Sequence, residues 1–185
     1  MDGVPDLRSA PAIPRSRSID RLLAGLQAGT LGTLWMLAWM GLSAVWQRRS
    51  FWAPENLMAN ALHPRGEIAA DFQWSSLSGL AVYVLIYGAL GAVFAFLAGR
   101  HATRQARITL LALLFALAWY YFSFHLLWKT VAPAITFLHP ERATVTGHVI
   151  YGLILSRFAA YLPRQARISE GTPALETPAD LAPKT

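Results

Sequence analysis

Cysteine is absent from the 185-residue chain. This absence excludes disulfide bridges, thiolate zinc sites, iron–sulfur clusters and a cysteine nucleophile. Charge is scarce as well, because Asp, Glu, Lys and Arg make up 14% of the residues, against about 25% in an average soluble domain. Hydrophobic residues make up 55%, which excludes disorder over most of the length. The composition therefore indicates a protein whose solvent is the lipid bilayer.

The sequence also lacks the motifs of the common active sites. It contains no phosphate-binding glycine loop, no nucleophile elbow and no His-Glu-x-x-His. No Asp or Glu lies inside its long apolar stretches, and a transporter usually needs such a carboxylate for a proton relay or a cation site. We therefore expect a protein that is not an enzyme.

Four stretches are long enough to cross a hydrocarbon core, which takes roughly 20 apolar residues in a helix. They cover residues 22–46, 77–99, 108–128 and 145–162. The first two carry no charge, the third contains His125, and the fourth contains His148 and Arg157. The sequence thus predicts an all-α membrane protein with four transmembrane helices.

The basic residues predict the orientation. With four spans, both termini and the middle loop lie on one side, which collects eleven of the 16 Lys and Arg residues. By the positive-inside rule, both termini are expected in the cytoplasm, an N-in/C-in topology. The basic residues flank the spans and form no nucleic-acid-binding motif, so we expect the lipid bilayer as a partner and no nucleic acid.

Short words recur in the same order in both halves of the chain. They are Leu-Ala-Trp at 37–39 and 117–119, Ala-Pro at 53–54 and 132–133, Leu-His-Pro at 62–64 and 138–140, Ile-Tyr-Gly at 86–88 and 150–152, and Arg-Gln-Ala-Arg-Ile at 104–108 and 164–168. This pattern predicts two tandem, duplicated helical hairpins related by an axis along the membrane normal.

The repeat divides the chain into four parts. We expect a basic cytoplasmic segment at 1–21, a first hairpin with a long outer loop at 22–107, a second hairpin at 108–168 and a flexible tail at 169–185. Within the long loop, a short interfacial helix is predicted over residues 54–62, because Pro54 suits the first helical position and Leu57, Met58, Ala61 and Leu62 form one apolar face.

Small residues predict where the helices of the first hairpin approach closely. Gly25 and Gly29 lie four apart on the first span, and Gly91 and Ala95 lie four apart on the second. Helices in lipid associate through such small-residue stripes, because their backbones can then touch. Both stripes fall in the cytoplasmic half of the predicted spans, so we expect a tight contact there.

Two histidines inside the spans are candidate cofactor ligands. His125 lies near the outer end of the third span and His148 near the outer end of the fourth. Neighbouring helices could bring the two imidazoles together, and neutral imidazole is an axial ligand for haem or chlorophyll. The alternative is a structural role, in which each ring bonds a hydroxyl or carbonyl of a neighbouring helix.

A second group of candidates lies in the outer loops. The repeated Leu-His-Pro words place His63 and His139 in equivalent positions, with Glu67 and Glu141 nearby. Imidazole and carboxylate ligands suit zinc or a similar divalent ion. The spacing matches no known metal motif, and Pro after His is also typical of a helix end or turn.

Three longer words carry a resemblance. The glycine-rich first span is followed by Arg-Arg-Ser-Phe-Trp-Ala-Pro, and later segments read Val-Tyr-Val-Leu-Ile-Tyr-Gly and Gly-His-Val-Ile-Tyr-Gly. Over residues 22–162 the chain resembles small bacterial four-span integral membrane proteins of uncharacterised function. The resemblance implies a bacterial cytoplasmic (inner) membrane location and supplies no activity or site residues.

Three functions remain open on the sequence. The first is a non-catalytic structural or accessory protein that packs against a larger respiratory or photosynthetic membrane complex, or against further copies of itself. The second is a small haem- or chlorophyll-binding protein that uses His125 and His148. The third is a small transporter. The first is favoured because the chain lacks catalytic groups and crowds aromatic residues onto its third span.

Overall fold

The computed structural model describes residues 17–62, 71–98 and 104–162. Every regular element in these residues is helical, and none is a strand. The α-helices are α1 (Arg17–Trp46), α2 (Ala53–Leu62), α3 (Trp74–Ala98), α4 (Gln105–Tyr121), α5 (Trp128–Val131), α6 (Pro133–Leu138) and α7 (Glu141–Leu155). A π-helical segment (Phe122–Leu127) joins α4 to α5, and a 3₁₀ turn (Phe158–Tyr161) follows α7.

Three helical stretches are long and apolar enough to cross a membrane. They are Ser18–Trp46, Trp74–Ala98 and Gln105–Val131, the last running through α4, the π-helical segment and α5. These stretches agree with the first three predicted spans and are compatible with a multi-pass membrane protein. For the residues that the structure describes, the predicted all-helical fold with long apolar, membrane-length helices is confirmed.

The fourth predicted span, residues 145–162, corresponds to α7 and the turn after it. α7 has 15 residues and ends at Leu155, which makes it about 22 Å long. The hydrocarbon core of a bilayer is roughly 30 Å thick. Because α7 is too short to span it alone, the four-span arrangement and its orientation stay predictions.

The long helices form an antiparallel bundle. α1 packs against both α3 and α7, α7 also packs against α4, and α2 lies along α3. α3 and α4 contact each other sparsely, mainly through aromatic pairs such as Phe94 with Phe115, whose ring centroids are 5.4 Å apart. The core between the helices is built from large buried side chains such as Met36, Tyr151 and Phe158.

The two ends of the bundle differ in chemistry. The start of α4 and the end of α7 carry the exposed residues Arg104, Arg107 and Arg157, and we call this the basic end. The end of α1 and the start of α3 carry the exposed Trp46 and Trp74, and we call this the aromatic end.

The predicted close approach of α1 and α3 is confirmed. A Cβ added at Gly91 would overlap the carbonyl oxygen of Gly25 and lie 2.7 Å from the Cα of Gly29. A Cβ at Gly25 would lie 2.5 Å from the Cβ of Ala95. Only glycine allows the two backbones to touch in this way, and the contact lies near the basic end.

The predicted loop helix is also present, with a different environment. α2 begins at Ala53 and buries Leu57 and Met58 as predicted, while Leu62, expected on the same apolar face, is exposed. Its polar residues Glu55 and Asn56 are buried too. α2 therefore belongs to the bundle, packed on α3, and is more than a helix resting on lipid headgroups.

Candidate functional site

A buried hydrogen bond fixes His148, one of the two predicted ligands, on α7. Its Nδ1 lies 2.7 Å from the carbonyl oxygen of Thr144, one turn earlier on the same helix. A carbonyl only accepts, so Nδ1 carries the proton and Nε2 is the acceptor. The hydroxyl of Tyr87 on α3 lies 2.8 Å from Nε2 and donates to it. Both nitrogens of His148 are thus bonded within the protein.

Tyr151 extends this contact one turn towards the basic end. Its hydroxyl donates to the backbone carbonyl of Tyr87 over 2.7 Å, and the two rings pack edge to face with centroids 5.1 Å apart. Gly32 on α1 leaves room for the ring, because a Cβ there would lie 2.9 Å from Tyr151 Cδ2. Three helices therefore meet at one polar cluster, which we call the tyrosine–histidine cluster: Tyr87, His148 and Tyr151.

The other predicted ligand, His125, lies beside the cluster and is partly exposed. Its Nε2 is 3.3 Å from the Tyr120 hydroxyl, which donates to Glu141 Oε1 over 3.1 Å. The His125 nitrogen is 3.8 Å from the same carboxylate oxygen. The Tyr120 ring centroid is 5.7 Å from that of His125 and 5.3 Å from that of His148. The two predicted ligands thus share Tyr120 as a neighbour.

The backbone around His125 is π-helical, over Phe122–Leu127. Such segments are rare, and they are frequent at functional sites because they change which face each side chain occupies. Here the segment buries Ser123 and Phe124 against the bundle and leaves Phe122 and Leu126 exposed. An α-helical pattern read from the sequence gives no signal for this change.

His139, a predicted metal candidate, is buried just before α7. Its Nδ1 lies 3.2 Å from the carbonyl oxygen of Ile135, so Nδ1 donates and the Nε2 lone pair faces inward without a hydrogen-bond partner. Burial is the main reason that the pKa of His139 is lowered to about 4; the bond to Ile135 opposes this effect, and the nearby Arg49 guanidinium adds to it. The ring is therefore neutral at physiological pH.

Glu55 on α2 is the most buried acid in the described residues, with 2% of its surface exposed. Its Oε2 has no hydrogen-bond partner. Burial raises the pKa of Glu55 to about 7. α2 can pack this closely against α3 because α3 has a glycine, Gly79, at the contact. Any Cβ there would overlap the Glu55 carbonyl oxygen. Tyr83, one turn further along α3, is close enough to interact electrostatically with the carboxyl group.

A small cavity near the aromatic end lies between His139 and the Tyr87–His148 contact. Its volume is about 20 Å³, measured as the space open to the centre of a water molecule, and one water needs roughly 10–15 Å³ on that measure. A larger organic cofactor does not fit in this space. The polar lining consists of Tyr83, Tyr87, Ser123, His139, Thr144 and His148, and the apolar lining of Met40, Phe124, Trp128 and Ile135.

No group of three or more His, Asp or Glu side chains suitable for a metal ion occurs within residues 17–62, 71–98 and 104–162. His63 and Glu67 lie outside the described residues. The other two predicted metal ligands lie in different environments. His139 lines the cavity inside the bundle, whereas Glu141 is exposed and accepts a hydrogen bond from the Tyr120 hydroxyl. The arrangement suits hydrogen bonding to one small polar molecule.

Comparisons of the chain with protein-family models, with curated proteins and with solved structures find no match. The function of this chain is therefore inferred from its own geometry.

The histidines could be named as candidates from the sequence, whereas the tyrosines could not. Tyr87 and Tyr151 form buried hydrogen bonds between α3 and α7, yet they look like ordinary apolar-span residues in the sequence. One signal was available, because both belong to the repeated Ile-Tyr-Gly word. A polar residue repeated at the centre of two predicted spans is a reason to expect that the two copies meet.

Proposed function

We propose that this chain is a non-catalytic integral membrane protein, which acts as a structural or accessory subunit packed against a larger respiratory or photosynthetic complex. The observation that carries the proposal is the use of the polar groups in the bundle core. The Tyr151 hydroxyl donates a hydrogen bond to the Tyr87 carbonyl, and the Tyr87 hydroxyl donates one to His148 Nε2. His148 Nδ1 in turn donates one to the Thr144 carbonyl. These groups cross-link helices, so they are not free to act on a substrate.

The outer surface supports the same proposal. Large apolar side chains are exposed on three helices, including Trp35 and Leu42 on α1, Leu85 on α3 and Tyr121 on α4. A bilayer needs only a general apolar surface, whereas large aromatic side chains are enriched where proteins associate. We expect the face with Trp35 and the face with Tyr121 to be the strongest candidates for such a contact.

The proposal includes a fourth crossing of the membrane by α7 and its 3₁₀ turn, with both termini cytoplasmic. Near its start α7 accepts a hydrogen bond from Trp39 of α1 at the Ala143 carbonyl, 3.1 Å away. Just past its end, Ser156 accepts one from Gln105, the first residue of α4, over 3.1 Å. With 15 residues, α7 thus runs along most of the 17-residue α4 and along about half of the 30-residue α1. The exposed arginines of the basic end favour the cytoplasm.

The proposed duplication gains support from equivalent contacts. Gly88 faces the first helix of its hairpin, with Leu26 Cδ1 and Thr30 Oγ1 beside it. Gly152, in the second copy of the word, faces the first helix of its own hairpin, with the Ala112 carbonyl beside it. Two duplicated hairpins with the same orientation in a bacterial inner membrane account for the equivalent positions of Gly88 and Gly152.

The experiment is extraction of the chain from its native membrane in a mild detergent, followed by native-gel sizing and mass spectrometry of every co-migrating protein. We expect stoichiometric migration with one large membrane complex. Migration alone, or as a small homo-oligomer, would contradict the accessory role. It would leave the cofactor carrier and the small transporter as the alternatives.

An absorption spectrum of the same natively purified material tests the carrier alternative. A haem or chlorophyll held by His148 would have to displace Tyr87 from Nε2. We therefore expect no Soret-type band at stoichiometric strength. A band that disappears in His148→Ala and persists in His139→Ala would instead establish the carrier.

A further inference from the structure

A groove opens between α3 and α4 near the basic end, on the outside of the bundle. Its volume is about 350 Å³, and it is lined by Phe94, Leu97, Ala98 and Leu111. Small-molecule sites range over about 300–1,000 Å³. Phe94 and Ala98 are buried and form the floor, while Leu97 and Leu111 are exposed and form the walls. The groove exists because α3 and α4 contact each other sparsely.

Two arginines continue the groove beyond its apolar end. Arg107 lies one turn before Leu111 on the same side of α4, and Arg104 is the N-cap residue, with extended backbone, just before the helix. Both arginines are exposed. Neither forms an ion pair with any acid in the described parts of the chain. Over about 10 Å along α4 and its N-cap, the surface changes from two arginine side chains to an apolar groove.

The position of the groove matches the boundary of the membrane. Trp74–Ala98 and Gln105–Val131 are candidate spans, so α3 leaves and α4 enters the hydrocarbon region beside the groove. Arginine side chains at this depth reach the headgroup layer while nearby leucines face acyl chains. The order along α4 is therefore the order of groups in a phospholipid, with phosphate first and hydrocarbon next.

We propose that the groove and the two arginines form a binding site for an anionic phospholipid. Its phosphate lies between Arg104 and Arg107, and one acyl chain lies along Leu97 and Leu111 over Phe94. Charge complementarity selects the lipid, because two exposed guanidinium groups at a span end attract anionic headgroups, and basic pockets between transmembrane helices are known lipid sites. A helix of a partner protein would fill the groove without using the arginines.

The test is native mass spectrometry of the full chain in detergent, titrated with phosphatidylglycerol or with phosphatidylcholine of the same acyl chains. We expect phosphatidylglycerol to bind at least about fivefold more tightly, since each arginine near a headgroup contributes a factor of about five. Arg104→Gln with Arg107→Gln should lower phosphatidylglycerol affinity to the phosphatidylcholine level. Arg142→Gln, an exposed arginine at the aromatic end, is the matched control and should change nothing.

A second pair of variants tests the groove itself. Leu97→Trp fills the groove and should weaken the binding of both lipids, whereas Leu85→Trp, at an exposed position of α3 away from the groove, should not. Inorganic phosphate should fail to compete, because it lacks the acyl chain. Circular dichroism and the melting temperature verify that each variant is folded, and the leucine pair keeps the test valid if the double arginine variant unfolds.

Several results would overturn the proposal. Equal affinity for the two lipids would remove the anionic selectivity, as would an equal loss in the Arg142→Gln control. Displacement by inorganic phosphate, or unchanged binding in Leu97→Trp, would reduce the site to a surface anion contact. If a co-purified protein occupied the groove at Leu97 and prevented lipid binding, the groove would be a site for a partner helix instead.

Discussion

Tyr87 contacts two neighbouring helices through three different groups. Its hydroxyl donates a hydrogen bond to His148 on α7, its backbone carbonyl accepts one from Tyr151 on α7, and its ring packs against Trp119 of α4 with centroids 6.5 Å apart. A buried acceptor left without its donor loses the hydrogen bond and keeps the cost of desolvation. Removal of the hydroxyl group therefore affects the contact with His148 and leaves the other two contacts in place.

We expect Tyr87→Phe to lower the free energy of unfolding by about 1 kcal/mol, because it removes the donor to His148 Nε2. Tyr121→Phe is the matched control, since that side chain is 69% exposed and its change should stay within about 0.5 kcal/mol. Denaturation of the detergent-solubilised protein, followed by circular dichroism, measures both. Equal stability of the two variants would show that the hydrogen bond contributes nothing.

Glu55 and His139 make opposite contributions to the pH dependence of stability. The pKa of Glu55 rises from 4.5 to about 7 on folding, so its contribution is present below pH 4.5 and is lost as the pH rises through about 7. The pKa of His139 falls from 6.5 to about 4, so its contribution is present above pH 6.5 and is lost as the pH falls through about 4. Between pH 4.5 and 6.5 the two partly cancel.

Substitution should separate these two contributions. In Glu55→Gln we expect stability to rise more steeply with increasing pH than in the unchanged protein between pH 4.5 and 6.5, because the glutamate no longer opposes His139. In His139→Gln we expect the slope to shift in the opposite direction, towards falling stability, because the histidine no longer opposes Glu55. Unfolding curves across this range measure both slopes. Identical slopes in the two variants would mean that neither pKa is shifted in the folded protein.

At the scale of elements, glycine contacts set how closely helices approach. Gly91 and Gly88 lie on the same helix and face α1, but their surroundings differ. Gly91 faces backbone atoms of Gly25 and Gly29, whereas Gly88 faces the ends of two side chains, at 3.1 and 3.3 Å. A backbone cannot move away locally, while a side chain can change its rotamer.

We therefore expect Gly91→Ala to cost about 1–3 kcal/mol of stability, because α1 and α3 must separate. Gly88→Ala should be nearly neutral, and it serves as the control on the same helix. Thermal melting in detergent compares the two. A Gly91→Ala protein as stable as Gly88→Ala would mean that the α1–α3 contact is looser than described.

At the scale of the whole molecule, the absence of cysteine makes the topology directly testable. Gln47 is exposed at the aromatic end, and Ala106 and Ala160 are exposed at the basic end. With both termini cytoplasmic, a membrane-impermeant maleimide should label Gln47→Cys in intact cells. It should label Ala106→Cys and Ala160→Cys only after lysis. Labelling of Ala160→Cys in intact cells would contradict the fourth crossing, and the reverse pattern would contradict the orientation.

The sequence predicted the elements better than the site. Long uncharged stretches predict helices, because only a helix satisfies every backbone group within one segment in lipid. The Gly25, Gly29 and Gly91 contact was also predictable, since small residues at a spacing of four lie on one face. The π-helical segment was not predictable, because its residues fit an α-helical pattern equally well.

The sequence by itself determined that this is an apolar, cysteine-free helical protein with small-residue contacts between its first two spans. These properties follow from composition and from spacing along single helices. Only the tertiary structure decided that Glu55 and His139 are buried with an unpaired atom each, that Tyr87 donates a hydrogen bond to His148, and that a groove opens between α3 and α4 at Leu97 and Leu111. Each of those features joins residues from different helices, and their distances depend on how the helices pack, which no local pattern encodes.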